Sequence, residues 1–231
     1  YRHWHELLPP WIEVCPVQPP GRENRIRERP YTSASELVAA CDAALSSLTE
    51  LPFALFGHSM GATLAFEWAC HVRRERGREP RALIVAARAA PQLPRSAAPT
   101  HHLPDAELRE RLRELDGTPS EVLADDEMME VLLPLLRADF QIHDTYRPPD
   151  ARPGAGGGSD PAGGRAALLS CPVLVYGGLD DREVTAAQLE AWRDVTSGTF
   201  RRRMLPGDHF GLLRGEHLAR GVAADCAEAL R

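Results

Sequence analysis

The sequence predicts an α/β fold, a mostly parallel, doubly wound sheet with helices against it. Three observations predict this. Short, continuously apolar runs recur at 53–56, 82–87 and 172–176, as in strands buried on both faces of a parallel sheet. Amphipathic stretches at 33–48, 62–76 and 212–230 alternate with them, as helices of such a fold do. A chain of 231 residues, 43% apolar and 26% charged, also has ample material for one core.

The first expected strand is 12–17, with Ile12, Val14 and Val17 as its apolar members. The helix over 33–48 opens on Ser33, with Glu36 three residues later. Each side chain can satisfy the other's free backbone N–H, the capping-box pattern. The strand at 53–56 leads into the helix at 62–76. After 82–87 the alternation breaks. From 101 to 146 helix follows helix, with Leu103, Leu108, Leu112 and Leu115, then Val131, Leu132, Leu135 and Leu136 at helical spacing. An all-helical insertion between two strands is either a lid over a site or extra packing on the domain's flank, and a lid is the expectation. Residues 151–165 are too Gly-rich to hold one conformation and are expected to form a mobile loop. The run at 172–176 resumes the sheet, and the more polar 200–205 suits its edge. A single domain over 1–231 is expected. The chain opens on Tyr1 in what reads as mid-domain sequence, so N-terminal sheet is expected to precede it.

Charge and cysteines exclude several functions. All 27 basic residues are Arg, and 33 Asp and Glu outweigh them to a net −6. Binding nucleic-acid phosphates calls for a basic excess or stripe, so nucleic acid is not an expected partner. No stretch approaches the ~18 consecutive apolar residues of a membrane span, and no charged-then-apolar leader opens the chain. A cytoplasmic protein without membrane contact is expected. Cys15, Cys41, Cys70, Cys171 and Cys226 are widely spaced, with no CxxC pair. That pattern predicts reduced, buried thiols rather than a disulfide frame or zinc site. No metal or other cofactor is expected.

Chemistry enters at Gly57-His58-Ser59-Met60-Gly61, between the strand at 53–56 and the helix from 62. A Gly-x-Ser-x-Gly pentapeptide in that setting is a nucleophile elbow. The glycines allow the tight turn, Ser59 is held with its hydroxyl exposed, and the helix start aims N–H groups, including that of Met60, at an oxyanion. A Ser nucleophile needs a base, and the base an orienting acid, in the chain order Ser, acid, His. His209, in Pro206-Gly-Asp-His-Phe-Gly211 after the last strand, stands where the base belongs; the other eight histidines read as ordinary surface or core residues. The acid should follow 172–176, where Asp180 and Asp181 both stand. One can be the acid while its neighbour caps the helix starting near Val184. Asp208 reads as a turn residue.

The chain resembles the type II thioesterases, the free-standing editing hydrolases of polyketide and nonribosomal peptide assembly lines, which have the α/β-hydrolase fold. The resemblance runs from Tyr1-Arg-His-Trp through Val17-Gln-Pro-Pro-Gly-Arg22 and the elbow. It continues through His102-Leu-Pro-Asp-Ala-Glu-Leu108, Gly117-Thr-Pro, Leu133-Pro-Leu-Leu-Arg-Ala-Asp-Phe140 and Pro206-Gly-Asp-His-Phe210. The family's Gly-Gly-x-x-Asp-x-x-Val-Thr pattern falls on Gly177 to Thr185 and implies Asp181 as the acid. Two departures stand out. The chain begins beyond the family's His-Ala-Gly-Gly-like loop, the source of a second oxyanion N–H, and Gly207-Asp208-His209 replaces the usual Gly-Gly-His.

The resemblance implies hydrolysis of acyl thioesters on the phosphopantetheine arm of an acyl or peptidyl carrier protein, with Ser59, His209 and Asp181 as the triad. The arm belongs to the partner, so the protein itself needs no cofactor. A chain-releasing thioesterase domain is the nearest rival. Such domains carry the acid after the strand that follows the elbow, whereas Ala87-Arg-Ala-Ala-Pro91 offers no carboxylate. A general serine esterase and a silent carrier-docking module are the remaining alternatives. Carriers in such pathways are acidic, so arginines should receive them, and geometry selects Arg109, Arg111 and Arg113 on the insertion over Arg73–Arg78 and Arg201–Arg203.

Overall fold

A computed structural model describes residues 1, 3–95, 98–148 and 168–231; the Gly-rich stretch expected to be mobile at 151–165 lies outside them. Among the described residues four strands, β1 (Ala54–His58), β2 (Ala82–Ala86), β3 (Val173–Gly178) and β4 (Phe200–Leu205), form one sheet in that order, every pair parallel. All four C-terminal ends therefore share one edge, where loops of α/β proteins build their sites. Continuous apolar runs became strands because both faces are covered. On one face Ile84, Ala86, Leu174 and Tyr176 pack with Leu212 of α7 (Gly211–Arg214) and with Leu218 and Val222 of α8 (Glu216–Ala229). Leu83, Val85 and Val173, fully buried, alternate onto the other. The elbow helix α2 (Met60–Arg76) packs on β1 and β2, and its Phe66 meets Trp192 edge-on at 5.6 Å. β4 lies at the sheet edge and exposes Arg201 and Arg202, as its polar composition predicts.

Three expectations are corrected. Residues 12–17 form no strand: none of them is buried and no neighbour pairs with them among the described residues. Pro16 within this stretch and Pro19 and Pro20 just after it lack the N–H groups that a ladder needs, so apolar character alone could not make a strand there. The helix over 33–48 is shorter. Here α1 (Ala34–Leu45) passes into a tighter 3-10 segment, Ser46–Glu50, while Ser33 Oγ accepts the Glu36 N–H at its start. The last helix is broken at Gly215, whose extended backbone separates α7 from α8. Cys70 and Cys171 are buried as expected, but Cys15 is exposed.

The chain divides into two compact units. One comprises Tyr1–Pro16, Val38–Leu93 and Arg147–Arg231 and holds the sheet; the other comprises Val17–Leu37 and Pro94–Tyr146. In the second, α3 (Asp105–Leu115), α4 (Ser120–Ala124) and α5 (Asp126–Thr145) close around Leu108, Leu112, Leu123, Met129 and Leu133. Of the residues singled out by helical spacing, Leu108 and Leu112 lie in this cluster and Leu103 and Leu136 pack against it, whereas Val131 is exposed and Met129 and Leu133 take the core positions of α5. Arg22 Nη2 donates to Asp139 Oδ1 at 2.7 Å, so the Pro-Pro-Gly-Arg and Leu-Arg-Ala-Asp-Phe segments, 117 residues apart, meet in one ion pair. The buried Asp144 carboxylate accepts from the Thr100 and His101 N–H groups and from His101 Nδ1. His101 is thereby spent on structure. No helix among the described residues is long and apolar enough to cross a membrane.

Candidate active site

β1 ends at His58 and α2 begins at Met60, so Ser59 alone turns the chain, at φ 52° and ψ −118°. A non-Gly residue in such a region stores roughly 1–3 kcal/mol, held by the bonds around it. Ser59 N–H donates to Ala86 O at 2.9 Å, and Ala62 N–H donates to Ser59 O at 3.0 Å. Space, however, separates the two glycines of the elbow. A Cβ on Gly57 would lie 2.1 Å from the Gly61 carbonyl oxygen, whereas one on Gly61 would meet nothing within 4 Å. Only Gly57 is sterically required. Accordingly, Gly57→Ala should lower the melting temperature by ten degrees or more, about 3 kcal/mol or above, or prevent folding. Gly61→Ala should leave it unchanged or slightly higher, because Ala favours a helix over Gly. Thermal unfolding of the two variants checks the contrast.

The base loop follows β4. His209, nearly buried, lies with Nε2 3.0 Å from Ser59 Oγ and Nδ1 3.0 Å from Asp181 Oδ2. A carboxylate only accepts, so Nδ1 carries the proton and Nε2 is left to accept from the serine hydroxyl. Burial pushes the Asp181 carboxyl up, but the His209 ring and the N–H groups of Glu183 and Val184, bonded to Oδ1 at 2.8 and 3.2 Å, outweigh it. The net effect holds Asp181 below its ordinary range and ionised. Its side chain is only 1% exposed.

Of the two aspartates that loop chemistry left unresolved, Asp181 bonds to the His209 ring. Asp180 is exposed and contributes only its backbone N–H, to Gly207 O at 3.1 Å. Neither aspartate caps the next helix, contrary to expectation. Thr185 does, in a reciprocal pair with Gln188 at the start of α6 (Ala186–Glu190). Gly178 lets the acid and base loops approach, since a Cβ there would stand 2.3 Å from Gly207 O. Asp208 Oδ1 accepts the Gly211 N–H at 2.5 Å and so serves the turn.

Met60, next to Ser59, opens α2, where the first N–H groups lack the intrahelical acceptors available further along the helix. The structure thus brings Ser59, Met60, Asp181 and His209 together. It also adds a residue that sequence reasoning set aside. His58 is buried, and its Nε2 lies 2.8 Å from His209 O. Nothing in its neighbourhood of sequence distinguishes it from any residue preceding an elbow serine. Arg109, Arg111 and Arg113 lie on α3 of the helical unit, paired with Asp126, Glu114 and Glu110.

A family model described as a thioesterase domain matches residues 1–228. Linear gramicidin dehydrogenase LgrE of Brevibacillus parabrevis is 42% identical over 92% of this chain and 76% of its own length. The structure of the RedJ thioesterase from the prodiginine biosynthetic pathway of Streptomyces coelicolor superposes with a TM-score of 0.80 at 38% identity. That match covers 99% of this chain and 84% of that one. The type II thioesterase BorB, from the borrelidin biosynthetic cluster, matches at TM-score 0.75 and 38% identity, over 93% and 80% of the two chains.

Proposed function

The chain belongs to the thioesterase family, and on that premise we propose that it hydrolyses acyl groups thioesterified to the phosphopantetheine arm of an acyl or peptidyl carrier protein, clearing stalled or aberrant units. The observation that carries this reading is the hydrogen-bonded chain Ser59–His209–Asp181. Ser59 Oγ attacks the thioester carbonyl as its proton passes to His209 Nε2. Asp181 holds the Nδ1–H and stabilises the imidazolium. The Met60 N–H receives the oxyanion. A thiol of pKa about 8.5 leaves readily as thiolate, so expulsion needs little help from an acid. Water, activated by the same imidazole, then cleaves the acyl-serine. The protein supplies no cofactor in this scheme, because the arm arrives with its partner. The lid role expected of the helical insertion belongs to this proposal.

Two rivals fare less well. A chain-releasing domain would carry its acid after β2; here the carboxylate that reaches His209 Nδ1 follows β3. One relative is named a dehydrogenase. A Ser–His–Asp chain is an acyl-transfer device that contributes nothing to moving a hydride, so the side chains favour hydrolysis. The test is release of free acid and free thiol from an acyl-carrier thioester and from an acyl-pantetheine, with Ser59→Ala alongside. Loss of both activities in the variant is expected. Undiminished release by the variant would overturn the reading.

Docking through Arg109, Arg111 and Arg113 is part of the same proposal. Each is already paired on its own unit, so an acidic carrier must exchange with Asp126, Glu114 and Glu110. Exposed pairs of this kind hold weakly, about 0–1 kcal/mol each, which leaves them exchangeable. Reversing all three to Glu should raise KM for carrier-bound substrate about tenfold, more at low salt, and spare acyl-pantetheine. An unchanged carrier KM would remove these residues from the docking surface.

A further inference from the structure

We infer that His58 is a positioning residue, whose Nε2–H holds the backbone of the base loop in register with the nucleophile. The inference rests on the reading of Ser59 and His209 as nucleophile and base. His58 is the last residue of β1, so its backbone is rigidly placed by the sheet and adjoins Ser59 directly. Its Nε2 lies 2.8 Å from the carbonyl oxygen of His209, 151 residues away in sequence. A carbonyl only accepts, and this fixes the proton on His58 Nε2. The two rings meet edge-on at 5.2 Å, and Phe210 packs against both, at 5.6 Å from His58 and 5.0 Å from His209.

A bond from the strand that presents the nucleophile to the loop that presents the base links directly the two segments whose spacing sets the Oγ–Nε2 distance. Without it, His209 is held by Asp181 through its ring, while its own backbone lacks this tie. Gly207 O and Asp208 are also bonded, to the N–H groups of Asp180, Gly211 and Leu212 and to Arg214, none of which belongs to the elbow. Burial drives the His58 imidazole down to about 4, against the smaller pull of the His209 carbonyl, so the ring stays neutral. A neutral donor suits a place beside a base that becomes cationic during turnover, where a second cation would oppose it.

The test compares His58→Gln, which keeps an N–H donor, with His58→Phe, which keeps the packing and removes it. A misplacement of catalytic groups on the ångström scale costs about 10²-fold in rate. His58→Phe should therefore lower kcat about 30- to 100-fold with KM within twofold, and His58→Gln should stay within about fivefold of the parent. A packing role predicts the reverse order. Equal activity of His58→Phe and the parent, or equal losses in both variants, overturns the inference. Independently of any variant, ¹⁵N imidazole shifts of the unaltered protein should report His58 as the Nε2–H tautomer from pH 5.5 to 8. A protonated ring or the other tautomer in that range would refute it. Ser59→Ala is assayed beside these: residual turnover there defeats the nucleophile assignment, whereas the ordering of Phe and Gln judges His58 alone.

Discussion

Ser59→Ala is expected to lower kcat toward acyl thioesters by about 10⁴- to 10⁶-fold while the protein stays folded. The size follows from what remains. Removing the nucleophile of a triad leaves only binding and oxyanion stabilisation, and the base then has no proton to take. Stability should hardly change, because alanine bears the same positive φ that Ser59 bears, and the Ser59 N–H bond to Ala86 O involves only backbone. Ser59→Gly should be equally inactive yet more stable than Ser59→Ala by about 1 kcal/mol or more, since glycine adopts φ 52° without the penalty. Steady-state rates and thermal unfolding of both variants check this. An alanine variant that keeps a tenth of the activity would mean that another group performs the attack.

Asp181→Asn is the second large effect, an expected loss of about 10⁴-fold in kcat. The amide oxygen can still accept from the Glu183 and Val184 N–H groups, so the loop should keep its shape. What goes is the negative charge that orients the His209 Nδ1–H and stabilises the imidazolium. Asp180→Asn should remain within about twofold, because its carboxylate is exposed and the site uses only its backbone N–H. A pH signature accompanies the pair. The folded pKa of Asp181 is depressed, so its stabilising contribution is full above the unfolded value of about 3.9 and is lost as pH falls through the folded value. Asp181→Asn should therefore lose less stability than the parent between pH 5 and 2. Equal acid sensitivity of the two proteins would contradict the depressed pKa.

These residues differ in how openly the sequence declared them. Ser59 was legible because an elbow needs its pentapeptide at a strand-to-helix junction, and His209 because a triad base follows the last strand. The runs at 82–87 and 172–176 were legible as strands since burial on both faces leaves no polar side. Asp180 and Asp181 could not be separated by loop chemistry, for the choice depends on how the turn at Gly178 meets the Gly207 backbone, a long-range fact. Residues 12–17 misled for a related reason. β-branched apolar residues such as Ile12, Val14 and Val17 favour extended backbone, but a strand exists only where a neighbour accepts its hydrogen bonds. His58 carried no signal at all. Its partner is a main-chain oxygen 151 residues away, and a backbone acceptor leaves no trace in side-chain identity. The break at Gly215 was missed within 212–230, because apolar residues continue on both sides of it.

The central claim is that the acyl group passes through Ser59. Rapid-quench intact-mass and peptide-mapping mass spectrometry of the protein mixed with an acyl-carrier thioester tests it most directly. A transient adduct equal in mass to the acyl group is expected on the peptide containing Ser59, decaying as free acid appears and absent from Ser59→Ala. An adduct on a different residue, or full turnover by Ser59→Ala with no adduct anywhere, would contradict it.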